Sequence, residues 1–136
     1  MEPATLTLAG ILMLALITVE SGGAFLLRVT TGGHPANDLQ RNWYRAGHAH
    51  AAVLLVLSLA ILPYTDAYEL PAWAVWLARS GVPAAALLMP AGFFLGVLGQ
   101  DPQKPGRAAV LVPIGAAVLT AGLLAAGIGA IAAGRP

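Results

Sequence analysis

Long apolar runs alternate with short polar links along this chain. The runs extend over about 4–28, 44–62, 80–99 and 108–133. An α-helix rises ~1.5 Å per residue and the hydrocarbon core of a bilayer is ~30 Å thick, so runs of this length can cross it. The pattern predicts an all-α fold, an integral membrane four-helix bundle, with 1–136 forming a single transmembrane domain. The first run carries one charge, Glu20, and ends at Arg28. It is not patterned as a secretory signal, because Met1-Glu2-Pro3 has no Lys or Arg and the apolar stretch is long. The second run opens at Tyr44 and is closed by Pro63.

The links carry the turn signals. Gly32-Gly33, His34-Pro35 and Asn37-Asp38 punctuate the first. The stretch from Pro71 to Arg79 holds Trp73 and Trp76, residues that favour the membrane interface, and predicts a short surface-lying helix over 71–79. The third link, Gln100 to Arg107, is a clear break. Pro83 and Pro90 predict kinks in the third span. Gly22 with Gly23, Gly92 with Gly96, and Gly122 with Gly127 are expected to let helices approach closely. Arg28, Arg41 and Arg45 in the first link, with Lys104 and Arg107 in the third, weakly favour a cytoplasmic position for those links and an outside position for both termini.

Composition agrees with the pattern. The chain is 58% hydrophobic and 10% charged, with a mean hydropathy of +0.78; soluble domains carry about 25% charged residues. The net charge of +1 implies no nucleic acid and no acidic partner; the partner that composition does imply is the lipid bilayer. Cysteine is absent, which excludes disulfides, thiolate metal sites and cysteine nucleophiles.

Ionisable residues inside lipid are costly and therefore functional candidates. Glu20 lies eight residues before Arg28, roughly 12 Å inward. His48 and His50 lie four and six residues past Tyr44, roughly 6–9 Å inward. Consecutive antiparallel helices would bring these three to one layer near the same membrane face. Residues two apart on a helix point roughly 200° apart, so His48 and His50 serve different neighbours and cannot chelate one ion together. Gly47 and the flanking alanines leave room for a flat group beside the imidazoles, or for another helix. Arg28 and Arg45 either snorkel to the surface or pair with an acidic group. Met89 is a possible thioether ligand or a gap-filler of the core, Trp43 and Tyr44 are expected as interfacial anchors, and His34 is expected to be solvated.

The stretch Arg45-Ala46-Gly47-His48-Ala49-His50, opening the second helix, resembles the histidine-bearing helices of the haem-copper oxidase superfamily. Gly22-Gly23-Ala24-Phe25-Leu26-Leu27-Arg28 with His48-Ala49-His50 is also similar to small bacterial membrane proteins related to that family. The resemblance covers about the first sixty residues. It implies haem, with His48 and His50 as axial ligands to different haems, Arg28 and Arg45 on propionates, and Glu20 in a supporting or proton-carrying role. It implies a multi-pass protein of the bacterial cytoplasmic (inner) membrane. The oxidase subunit has three arcs of four helices, so a homotrimer of this chain would rebuild twelve, with His48 of one copy and His50 of the next at each boundary. The resemblance also implies electron transfer or a minimal oxidoreductase; with no further histidines for a three-histidine copper site in the chain, oxygen reduction is not expected. Two other readings stand beside it. One is a non-haem copper, zinc or iron site, or a proton- or ion-transport protein, using Glu20 and the histidine pair. The other is a structural subunit of a larger membrane complex.

Overall fold

The computed structural model describes residues 1–135, and they fold into four long helices. These are α1 (Pro3–Thr30), α2 (Asp38–Ile61), α3 (Ala72–Leu95) and α4 (Leu111–Ala133). Short 3-10 turns at Leu62–Ala67 and Arg107–Val110 lead out of α2 and into α4. There is no strand among the described residues. All four helices are long and apolar enough to cross a membrane, so the chain is an all-α, multi-pass bundle.

Two helices begin earlier than the apolar runs suggest. α2 starts at Asp38 rather than Tyr44, because Asn37 and Gln40 form a reciprocal capping box. That box sits in polar sequence, outside the hydropathy signal. α3 starts at Ala72, and the stretch 71–79 is its first two turns rather than a separate helix; nothing between Arg79 and Ser80 interrupts the backbone. Trp73 and Trp76 project from these turns and are exposed. α3 then runs unbroken through Pro83 and Pro90 and ends at Leu95 rather than Gly99. Gly99, at φ +130°, turns the chain away.

Each long helix packs chiefly on its neighbours in sequence: α1 on α2, α2 on α3, α3 on α4. The bundle is therefore an open row, with α1 and α4 as its two edges. The apolar windows of α2 and α3 are 28% and 39% buried, against 6% and 11% for α1 and α4.

The inward stripe of α1 is Thr5, Leu8, Leu12, Ala15, Val19, Gly22, Leu26 and Val29, spaced alternately by three and four. That spacing keeps one helix face against a partner. The α3–α4 seam is tighter. A Cβ added at Gly81 would lie 2.6 Å from the Gly122 Cα, so these two backbones touch. Gly115, Gly122 and Gly129 recur every seven residues along α4 and are all buried. Small residues of this kind let membrane helices meet backbone to backbone. Gly92 belongs to the same seam, lying against Val112. Gly127 does not: it faces open space, because five residues from Gly122 it has turned about 140° away from α3.

Side chains clamp both ends of the row. At one end, buried Gln40 donates to the Val97 and Gly99 carbonyls at 3.1 and 3.0 Å, and Asn37 donates to Asp101 at 2.7 Å. This joins the first link to the third, and gathers Arg28, Arg41, Arg45, Lys104 and Arg107 at one end of the molecule. At the other end Asp66 accepts from the Glu2 backbone N–H, the Thr5 hydroxyl and Arg79. Arg79 also pairs with Glu2 at 2.9 Å and donates to Thr65.

Candidate functional site

His48 is half-buried where α1 and α2 meet. Its ring lies over Gly22 and Gly23: a Cβ at Gly22 would come within 3.2 Å of Nδ1, and one at Gly23 within 3.6 Å of Cε1. These glycines therefore make room for an imidazole, not for a backbone. His48 forms no hydrogen bond with any described residue, and among the described residues no unpartnered side-chain nitrogen is sealed from its surroundings. The ring borders a groove of about 240 Å³ between α1, α2 and α3. Thr18, Ala51, Leu55, Pro90 and Phe94 are among its other walls, so apart from Thr18 the groove is apolar.

His50 faces the other way, as the turn of the helix requires. Its Nδ1 lies 2.7 Å from the Ala46 carbonyl oxygen. A carbonyl can only accept, so Nδ1 carries the hydrogen and Nε2 is the nitrogen left to bind. A ring held through one nitrogen in this way is the usual arrangement of a ligating imidazole. The His50 ring lies 5.0 Å from that of Phe93.

The remaining expected residues divide. Glu20 is on the helical turn that carries Gly22 and Gly23, so it shares the depth of His48. It is exposed, however, and has no hydrogen bond or ion pair among the described residues. It sits about 100° round the helix from Val19 and about 200° from Gly22, both on the inward stripe. The expected convergence of Glu20 with both histidines does not occur. No group of three or more His, Asp or Glu side chains is close enough to hold a metal ion among the described residues. Arg28 and Arg45 are exposed and unpaired at the same end of the row.

Of the two expected uses of the space at Gly47, a flat group or another helix, the structure shows the second: α3 packs there. Phe93 and Phe94 fill it, and a Cβ there would meet Phe94 at 2.9 Å. Tyr44 is buried rather than interfacial. It stacks on Phe94 at 5.5 Å and meets Phe25 edge-on at 5.2 Å, while Phe25 in turn meets exposed His34 at 5.2 Å. Trp43 packs against Phe93 and Gly96. Met89 is a core residue pressed against Gly115. Phe93, Phe94 and Thr18 had no signal in the sequence, since each becomes part of the site only through the register of its helix.

The chain matches no family model, no curated protein and no solved structure. The site is therefore read from its own chemistry. Towards the end of the row away from the histidines, burial raises the Tyr68 phenol above its ordinary range, with Tyr64 adding to the shift; this group lies in the link before α3, far in sequence from the imidazoles.

Proposed function

We propose that this is a haem-binding membrane protein of the bacterial cytoplasmic membrane, serving electron transfer, with His48 and His50 as axial ligands to haems on opposite faces of α2. One observation carries the reading: His48 rests on Gly22 and Gly23 with both nitrogens uncommitted, beside an apolar groove at membrane depth. An imidazole so placed is costly unless something binds it.

The residues fit an iron porphyrin. The groove is apolar apart from Thr18, the His48 ring borders it, and His50 has Nε2 free because its Nδ1 donates to the Ala46 carbonyl. Arg28 and Arg45 are free cations near the surface of the same end, suited to carboxylates. Bound haem would supply a one-electron couple; the chain would supply its ligands, a dry setting and a charged rim. Glu20 points elsewhere and is not assigned to this pocket.

A groove of about 240 Å³ lies below the ~300–1,000 Å³ of ordinary small-molecule sites. One copy can thus enclose only part of a macrocycle. The open row leaves both edges free for further copies, and three copies would give a closed set of twelve helices.

Absorption spectra of the purified protein, oxidised and reduced, test the reading. A Soret band is expected when cells are supplied with haem, and it should be lost or shifted in His48→Ala and in His50→Ala. A colourless protein from haem-replete cells overturns the proposal. Copper, zinc or iron found by metal analysis without porphyrin bands would replace it with a non-haem site.

A further inference from the structure

Among the described residues Glu20 is the one carboxylate deep within a membrane-spanning helix, and no hydrogen bond or ion pair there answers it. Such residues almost always face protein or a water-filled space rather than lipid. We infer that the outward edge of α1 binds the outward edge of α4 in a second copy of this chain, with Glu20 hydrogen-bonded to Thr120 of the partner subunit.

Three observations on the two edges agree. The first is depth. α1 and α4 run in opposite directions, so the end of α1 and the start of α4 lie at one face of the row. Glu20 is ten residues from Thr30, and Thr120 is nine residues from Leu111. At ~1.5 Å per residue both are roughly 14–15 Å from that face. The second is direction. Thr120 is exposed, and two residues from buried Gly122 it points about 200° away from α3. Its hydroxyl donates to its own Ala116 carbonyl at 2.9 Å, a bond any exposed helical threonine can make. An ionised carboxylate is a stronger acceptor than that carbonyl, and the Thr120 oxygen keeps lone pairs free to accept from a protonated one.

The third is the pair of helical glycines that pack on nothing. An added Cβ at Gly10 or at Gly127 would find no atom within 4 Å. One lies on α1 and the other on α4, seven and six residues from the ends that share the opposite face. Glycine weakens a helix by ~1 kcal/mol unless close approach requires it, and small residues mark membrane-helix interfaces. A docked copy would use both glycines at once. Because α1 meets α4 and not another α1, the contact is head-to-tail, and repetition gives a ring when the rotation between copies closes. The alternation of up and down helices continues unbroken across each junction.

The inference rests on the multi-copy part of the proposed function and needs no cofactor, so haem absorbance and assembly can fail separately. The chain has no cysteine, and the open space at both glycines should admit one without strain. Gly10→Cys, Gly127→Cys and the double variant are expressed in native membranes and oxidised with copper phenanthroline. The double variant should give a ladder ending at the closed ring, and neither single variant should cross-link. Dimers from Gly10→Cys or Gly127→Cys alone would show a two-fold interface and overturn the inference, as would a double variant that stays monomeric. For the polar pair, Glu20→Leu and Thr120→Val should each lower the oligomer fraction roughly threefold to tenfold on detergent dilution, while Glu20→Gln retains it. Equal assembly in Glu20→Leu and the unaltered protein would remove Glu20 from the interface.

Discussion

The two outer seams of the row use glycine for opposite purposes. Between α3 and α4, Gly81 and Gly122 bring two backbones into contact, and buried Gly115 and Gly129 extend that contact along the helix. Between α1 and α2, Gly22 and Gly23 leave the space that the His48 ring occupies. The first seam is filled by the chain itself. The second ends in a polar ring with nitrogens to spare. One residue type thus makes a rigid joint in one place and a ligand seat in the other, and the neighbour decides which.

Substitutions can break this contrast, beginning with the largest effect. Gly81→Leu places a branched side chain where only the Gly122 backbone stands, and neither backbone can yield without separating the helices. A loss of about 3 kcal/mol or more is expected, read as collapse of the thermal transition in detergent. Asp66→Ala tests the other seam at its far end, where Asp66 holds the start of α1 through Glu2 and Thr5. It also leaves Arg79 with only the exposed Glu2 and the Thr65 hydroxyl. We expect a lower thermal transition, smaller in effect than for Gly81→Leu, with faster amide exchange in the first turns of α1 and little change in α4. If α4 loosens as much as α1, the two seams are not independent.

Gly22→Leu should cost less, about 1 kcal/mol, because a side chain at 22 meets the end of a ring that can swing away. Its larger effect should be on the optical spectrum, through a displaced His48. A strong fall in stability without spectral change would make the α1–α2 seam a second rigid joint. Gly127→Ala should raise the stability of the isolated monomer by up to about 1 kcal/mol, through helix propensity alone, since an added Cβ there meets no atom within 4 Å.

The four spans were plain in the sequence because length and apolarity are enough to show them. The stretch Asn37 to Arg41 reads as no more than a short helical turn in a polar link; that it is the capped first turn of α2 itself lies outside the hydropathy signal. The start of α3 was misplaced because two tryptophans and Arg79 resemble an interfacial turn, yet no residue breaks the helix after them. The depth shared by Glu20 and His48 followed from counting residues. The direction of Glu20 did not, because it depends on which stripe of α1 meets α2. The seven-residue recurrence of Gly115, Gly122 and Gly129 was present to be found, and would have shown Gly127 to lie off the seam. The packing of Phe93 and Phe94 into the space at Gly47 depends on the register between α2 and α3, which no local pattern encodes.

Because every helix leans mainly on the one synthesised just before it, the nascent chain can be assembled in the order it leaves the ribosome. The α1–α2 hairpin, with the His48 seat already built, can insert before α4 exists. Arg79 then completes the staple on Asp66 as α3 arrives, and Asn37 receives Asp101 once the third link emerges. A chain truncated after the second hairpin strand should still enter the bilayer, but it would lack the partner that fastens its first turn.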